Sequence, residues 1–239
     1  MGIQQNQINY CLELPKFLLI ESSGDVCSAA VSSGTEIIAE KSIQEKNSHS
    51  TYLASFVAEV MKNTGLQISD LDAVVIGGGP GSYTGLRIGC SLAKGLCFGA
   101  DIPLIACSTL KALAAAALEQ NPDIDRVITL IDARRMDAYL GVFDNQLNTL
   151  VDEQFITIDA QLAVDYVKGE TVACGSGASK WMEDFSPDDA LEYSYSGIYA
   201  KNLLIEALQK WEKKDFVDVA YYEPNYIKSV FVTKPKPKF

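Results

Sequence analysis

An apolar run closed by an acid, Leu19-Ile20-Glu21, occurs again 111 positions later as Leu130-Ile131-Asp132. The segments after each copy come in the same order. After Phe17 to Glu21 come the turn residues Ser22, Ser23, Gly24 and Asp25 and the small-residue run Cys27 to Val31, which predicts a strand, a tight turn and a second strand. Gly34 punctuates a third strand through Ile37 and Ile38. Leu53, Phe56, Val57 and Val60 then fall at the three-and-four spacing of a helix over Asn47 to Met61, with Asn47 or Ser48 as its cap. Ala73 to Ile76 reads as a buried strand that runs into Gly77, Gly78, Gly79, Pro80 and Gly81, and a helix follows from about Ser82 to Phe98. The second copy offers strands at Ala138 to Val142 and Leu150 to Ile158, and a helix from Asp159 to about Val167. A strand at Thr171 to Cys174 and the glycine turn Gly175-Ser176-Gly177 complete it.

Two units of this kind predict two similar α/β lobes facing each other across a cleft. The expected division is an N-terminal extension at 1–16, a first lobe at 17–107 and a second, smaller lobe at 108–195. The amphipathic stretch Ile198 to Trp211 is expected to return over the first lobe, so that 196–239 completes it. The end of the chain, with Pro224, Pro235, Pro237 and four lysines from Lys228 onward, reads as an extended tail.

Composition removes several classes of function. Twenty Lys and Arg against thirty-one Asp and Glu give a net charge of −11, a field that repels a phosphate backbone unless basic residues are gathered locally. The chain is therefore not expected to bind nucleic acid by itself, and the tail lysines read as a solvated end. No apolar stretch reaches the roughly eighteen residues of a membrane span. The first sixteen residues, rich in Gln and Asn, lack the basic start and apolar run of a secretory signal. Cys11, Cys27, Cys90, Cys97, Cys107 and Cys174 are scattered without a C-x-x-C pair, and His49 is the only histidine. Reduced core cysteines and a cytoplasmic location are the expectation, with no metal site.

Duplicated α/β units with an acid-ended strand leading into each hairpin are the arrangement of the actin, sugar-kinase and Hsp70 superfamily. Its hairpins grip nucleotide phosphates, and the corresponding turns here are Ser22 to Asp25 and Ala133 to Met136. Glu21 and Asp132 would then face a cleft where a metal phosphate could sit, or would merely end strands and cap turns. The glycine turn at Gly77 to Gly81 can present backbone N–H groups to an anion, yet it matches neither G-x-G-x-x-G nor G-x-x-x-x-G-K-[ST]. A different reading comes from Gly81, Gly85, Gly89, Ala93 and Cys97, which recur every fourth residue and draw a ridge of small side chains along one helix face. Another helix could approach that ridge, inside the lobe or from a partner. Tyr52, Phe56 and Met61 on the preceding helix could extend the contact. His49 lies near a helix start with no cysteine or acid spaced to make a triad, and no G-x-S-x-G elbow is present, so hydrolase chemistry has no visible apparatus.

The run Gly79-Pro80-Gly81-Ser82-Tyr83-Thr84-Gly85-Leu86-Arg87-Ile88-Gly89, followed by Ala93-Lys94-Gly95-Leu96, resembles the hallmark of the TsaB (YeaZ) family. Ile20-Glu21-Ser22-Ser23, His49-Ser50, Ile131-Asp132-Ala133-Arg134, Gly175-Ser176-Gly177-Ala178 and Pro224-Asn225-Tyr226-Ile227-Lys228 support it, so the resemblance spans about 17 to 230. It implies an α/β, duplicated actin-like (ASKHA, ribonuclease H-like) two-lobed protein. Such a protein is a non-catalytic subunit in tRNA threonylcarbamoyladenosine formation, partnering its catalytic paralogue TsaD and the ATPase TsaE, and pairing with itself when the paralogue is absent. The catalytic paralogue's H-x-x-x-H metal motif falls on Thr109 and Leu113, neither of which can replace imidazole. No catalytic residue and no tightly bound cofactor are expected, only weak or interfacial ATP or ADP. The partner-binding helices are assigned His49, Leu53, Phe56, Gly81, Thr84, Gly85, Arg87, Gly89 and Ala93. A vestigial phosphate site is assigned Glu21, Ser22, Ser23, Asp132, Arg134, Gly175 and Gly177. Glu21 departs from the family, where Asp is common and Glu belongs to the catalytic paralogue. The competing expectation is an independent phosphotransferase using Glu21 and Asp132, or a metalloprotease-like enzyme.

Overall fold

The computed structural model describes residues 14–45, 49–185, 191–194 and 197–227. Asn47 and Ser48, the candidate helix caps, lie outside the described residues, as do Cys11 and the tail lysines from Lys228 onward.

The first unit consists of β1 (Lys16–Glu21), β2 (Val26–Ser33), β3 (Glu36–Gln44), α1 (His49–Thr64), β4 (Ala73–Gly77), α2 (Tyr83–Ala100), β5 (Leu104–Cys107) and α3 (Thr109–Gln120). The second consists of β6 (Arg126–Asp132), β7 (Asp137–Asp144), β8 (Thr149–Thr157), α4 (Gln161–Tyr166), β9 (Thr171–Cys174), α5 (Ser176–Phe185) and β10 (Leu191–Ser194). It ends with a 3-10 turn at Ala200–Leu203 and α6 (Leu204–Lys213). The two sheets have the orders β3-β2-β1-β4-β5 and β8-β7-β6-β9-β10. In both, the three-stranded meander is antiparallel and the two later strands join parallel to the first. Every strand and helix of one unit thus has its counterpart in the other, down to α3 and α6. This is the duplicated, two-lobed actin-like α/β fold, with the ribonuclease H-like topology in each lobe.

Burial follows from the layering. β1 and β4 are apolar or small at nearly every position and are buried along their length, as central strands covered on both faces must be. β3 alternates exposed and half-buried residues because it is the sheet edge. One core lies between the first sheet and α1 and α2, including Leu18, Ile20, Leu53, Val57 and Ile76. Another lies under α4 and α5, centred on Trp181. A third joins the lobes: Phe17, Leu19 and Val75 from the first sheet meet Val127, Val172 and Cys174 from the second through α3 and α6. The run Ala114 to Ala117 lets α3 be buried nearly all round, on the second sheet and against residues 200–213, which lie on the first. Phe56 and Met61 do not extend an outer surface. Both are buried against the sheet, at 6% and 7% exposure, because their spacing places them on the same face as Leu53 and Val60.

The glycines of α2 divide by side. A Cβ on Gly85 would collide with the backbone carbonyl of Ser22, and one on Gly89 with the Ser22 hydroxyl. A Cβ on Gly95 would meet nothing within 4 Å. The same substitution on one helix should therefore have opposite signs. Gly85→Ala is expected to cost about 2 kcal/mol through overpacking against rigid backbone. Gly95→Ala should gain up to about 1 kcal/mol from helix propensity. Urea unfolding of the two variants reads both.

Candidate functional site

The glycine-stepped ridge faces inward. Gly85, Gly89, Ala93 and Cys97 are buried and Gly81 is half-buried, and the ridge lies on the β1–β2 turn instead of in solvent. Polar contacts fasten the two together. Ser82 N–H donates to Ser23 O at 2.7 Å, Ser22 Oγ donates to Gly85 O at 2.9 Å, and Ser82 Oγ accepts from Gly85 N–H at 3.3 Å as the cap of α2. The expectation that Gly81, Gly85, Gly89 and Ala93 form the partner-docking ridge is therefore corrected: only glycine at 81, 85 and 89 lets α2 approach the turn, Ala93 is buried in the core beneath the helix, and the ridge is used up inside the lobe. Leu53 is likewise buried in the sheet-facing side of α1. His49 is half-buried at the start of α1, and its Nε2 has no hydrogen-bond partner.

The other side of the same helices is open. Thr84, Arg87, Ser91, Gly95 and Phe98 are exposed at helical spacing along α2, Phe98 at 85%. Thr51, Ala54, Ser55, Ala58 and Lys62 form the exposed side of α1, which packs beside it. Arg87 is held at the head of this face: its Nη1 donates to Tyr83 Oη at 2.7 Å and its guanidinium lies 5.3 Å from the Tyr83 ring centroid. Tyr226 packs its ring on Tyr83 at 5.1 Å. The segment after α6 runs along α2, with Lys94 Nζ donating to Ala220 O and Tyr222 O and Asn225 N–H to Gly78 O. Between them lies a shallow apolar depression of ≈ 610 Å³ lined by Lys94, Gly95, Phe98, Asp218, Val219 and Ala220. Ser91, Gly95 and Phe98 are not among the docking residues expected from the sequence, although 84, 87, 91, 95 and 98 follow the three-and-four spacing of one helix face.

Glu21 does not line an open cleft. It is fully buried; Oε1 accepts from Ser23 N–H and Ser23 Oγ at 2.5 Å each, and Oε2 has no partner. A Cβ on Gly77 would overlap Oε2, and Thr109 closes the same side. Burial lifts the carboxyl from 4.5 to about 7 against the opposing pull of the Ser23 and Ser22 hydrogen bonds. Ser22 and Ser23 are buried with it. Asp132 is separate and exposed, ion-paired to Lys180 at 2.5 Å, with Oδ1 accepting from Arg134 N–H at 2.8 Å and its own N–H donating to Ser176 Oγ at 3.0 Å. Gly175 (φ +100) has no room for a Cβ beside Leu130 and Leu113, and Gly177 packs on Leu130. The expected phosphate set is thus split between a sealed first-lobe half and an exposed second-lobe half of Asp132 and Arg134. Thr109 donates its hydroxyl to Pro80 O, and Leu113 is buried. Among the described residues no three His, Cys, Asp or Glu side chains group to hold a metal ion.

Comparison with known proteins adds relatives. The family model described as "TsaD: tRNA N6-adenosine threonylcarbamoyltransferase" matches residues 36–232. The tRNA threonylcarbamoyladenosine biosynthesis protein TsaB of Escherichia coli is 27% identical over 230 residues, 93% of this chain and 98% of that one. The TsaB of Haemophilus influenzae is 36% identical over 124 residues, 52% of each chain. The solved structure of YeaZ from Pseudomonas aeruginosa superposes with a TM-score of 0.79 at 24% identity, covering 89% of this chain and all of that one.

Because the folded-state value for Glu21 lies above its unfolded one, its protonated form stabilises the fold below about pH 4.5. That contribution is lost as pH rises through about 7. Glu21→Gln is expected to remove this dependence, so its stability relative to wild type should rise between pH 5 and pH 8 by on the order of 3 kcal/mol. Urea midpoints of the two proteins across that range provide the measurement.

Proposed function

The chain belongs to the TsaB (YeaZ) branch of the tRNA N6-adenosine threonylcarbamoyltransferase family, and on that premise we propose that it is a non-catalytic subunit of tRNA threonylcarbamoyladenosine formation that supports the paralogue TsaD. The observation that carries this is Gly95. A glycine inside a helix costs about 1 kcal/mol relative to alanine unless close approach requires it. Gly85 and Gly89 are required by the β1–β2 turn, whereas among the described residues nothing lies within 4 Å of where a Gly95 Cβ would stand. A helix from another chain, laid across Ser91 and Gly95 of α2 and Ala54 and Ala58 of α1, would use the space. Thr84 and Arg87 from the expected docking set lie on that face, with exposed Phe98 at its end as an apolar anchor. The same face would serve self-association when the paralogue is absent.

Support for a non-catalytic role comes from the positions where chemistry would sit. Glu21 is closed off by Gly77 and Thr109, so it cannot receive a metal-bound phosphate without moving the glycine turn. Thr109 and Leu113, which stand where the paralogue's metal histidines fall, are spent on packing and on the Pro80 carbonyl. Any ATP or ADP contact would be weak and at an interface, through the exposed Asp132 and Arg134. TsaE and tRNA would be met through the assembly, in keeping with the net charge of −11. The described cysteines are all buried and free, which fits a reducing cytoplasm, and among the described residues no helix is long and apolar enough to cross a membrane.

Gly95→Leu and Arg87→Glu should each reduce co-purification with the paralogue at least tenfold while the fold stays intact, Gly95→Leu being no less stable than wild type in urea and Arg87→Glu within about 0.5 kcal/mol of it. Undiminished co-purification of both variants would remove α2's outer face as the interface.

A further inference from the structure

α2 carries no acid in its 18 residues, so on a chain of net charge −11 its outer side is left cationic. The exposed residues of that side and of the neighbouring side of α1 include Arg87 and Lys62 but no carboxylate. Glu59, the acid of α1, turns instead to Lys41 of β3 at 2.8 Å. The other described ion pairs join Lys180 to Asp132, Lys201 to Glu119, and Lys210 to Glu206 and Asp215. Among the described residues Arg87 has no such partner, and Glu223 acts on it only from beyond ion-pair distance.

This unpaired guanidinium is nevertheless held in place. Its Nη1 donates to Tyr83 Oη at 2.7 Å, and the group lies 5.3 Å from the Tyr83 ring centroid. A pair four residues apart would by itself only steady the helix. Tyr226 does more, because it comes from the far end of the chain to pack its ring 5.1 Å from that of Tyr83. Its segment is anchored there by Asn225 N–H, which donates to Gly78 O at 2.8 Å. Among the described residues Arg87 Nε and Nη2 meet no acceptor. A guanidinium grips a carboxylate through two parallel N–H groups, and one already fixed on an aromatic pair loses little further freedom when it does so. A surface for a phosphate backbone gathers several cations. This one is small in the middle, at Ala54, Ala58, Ser91 and Gly95, and apolar at its end, at Phe98, which fits the side of a helix.

We propose that Tyr83, Arg87 and Tyr226 form a preformed receptor for a carboxylate: the helix that docks on this face carries an Asp or Glu opposite Arg87, and Tyr226 is a positioning residue that braces Tyr83 beside the guanidinium. The receptor presupposes that the outer side of α1 and α2 is the docking surface, and it names the group that meets it there. A bidentate pair at the head of α2 fixes the register of the incoming helix, while Phe98 supplies apolar contact at the other end.

Calorimetric titration of the full chain with the purified paralogue, at low and high salt, tests the receptor. Arg87→Gln and Arg87→Lys should each weaken binding roughly tenfold or more, and the loss for Arg87→Gln should shrink at high salt. Tyr83→Phe and Tyr226→Ala should weaken it by a smaller factor, whereas Tyr226→Phe should bind as wild type does. In an Arg87→Gln background Tyr226→Ala should have no further effect, which separates positioning of the guanidinium from a general structural role. Among the paralogue's surface acids, changed one at a time to the amide, one should lose the same factor as Arg87→Gln and lose nothing more when the two are combined. Strictly additive losses for every acid overturn the receptor. Gly95→Leu, measured alongside, keeps the two readings apart: binding abolished by Gly95→Leu but indifferent to Arg87→Gln overturns the receptor and leaves the docking face, and binding indifferent to both overturns both. Weaker binding of a tRNA transcript by Arg87→Gln, with affinity for the paralogue unchanged, would assign the cation to a phosphate and also overturn it.

Discussion

The approach of α2 to the β1–β2 turn fixes most of what this protein can be. Ser22 and Ser23 form the β1–β2 turn, and their carbonyls and hydroxyl are engaged by Gly85, Ser82 and Gly81. Backbone meeting backbone leaves no space for a side chain, and the start of α2 closes over the turn. Glu21 is buried as a result and is held in a pocket with one oxygen unsatisfied. A carboxyl in that setting resists ionisation and is poorly suited to hold a metal. The burial of Glu21 and the rigid placement of α2 have one cause.

With its inner side committed, α2 has only its outer side to offer, and α1 shows the same division. Their buried residues seat the pair on the first sheet, and their exposed residues are small in the middle and larger at the ends. Arg87, ordered by Tyr83 and Tyr226, marks one end, and Phe98 marks the other. The residues following α6 brace this surface by capping the glycine turn at Gly78 and holding Lys94. The Pro224-Asn225-Tyr226 motif thereby belongs to the same construction as the glycine run, although about 140 residues separate them in sequence.

Duplication explains the rest of the architecture. α3 and α6 are equivalent helices, each leaving the last strand of its unit, and they meet between the sheets. Beside the apolar interlobe core, the half-buried Ser108 at the start of α3 donates to Glu206 of α6 and to Glu153 of β8, so a polar contact accompanies the apolar one between the lobes.

The residue order alone determined the duplication, the strand and helix sequence of each lobe, and the family. Each of these depends on local periodicity or on side-chain identity at a single position. The strand Thr171–Cys174 and the helix beginning at Ser82 could be read almost to the residue because glycine and proline punctuate them. Which side of α2 faces inward could not be read, because small residues every fourth position suit a sheet-facing turn and a partner helix equally well. The same holds for Glu21, whose chain position is that of a cleft acid. Only the tertiary approach of Gly77 and Thr109, residues far away in sequence, shows that its carboxyl is buried. Local pattern sets which elements form, and long-range steric contact decides which of their faces remain free.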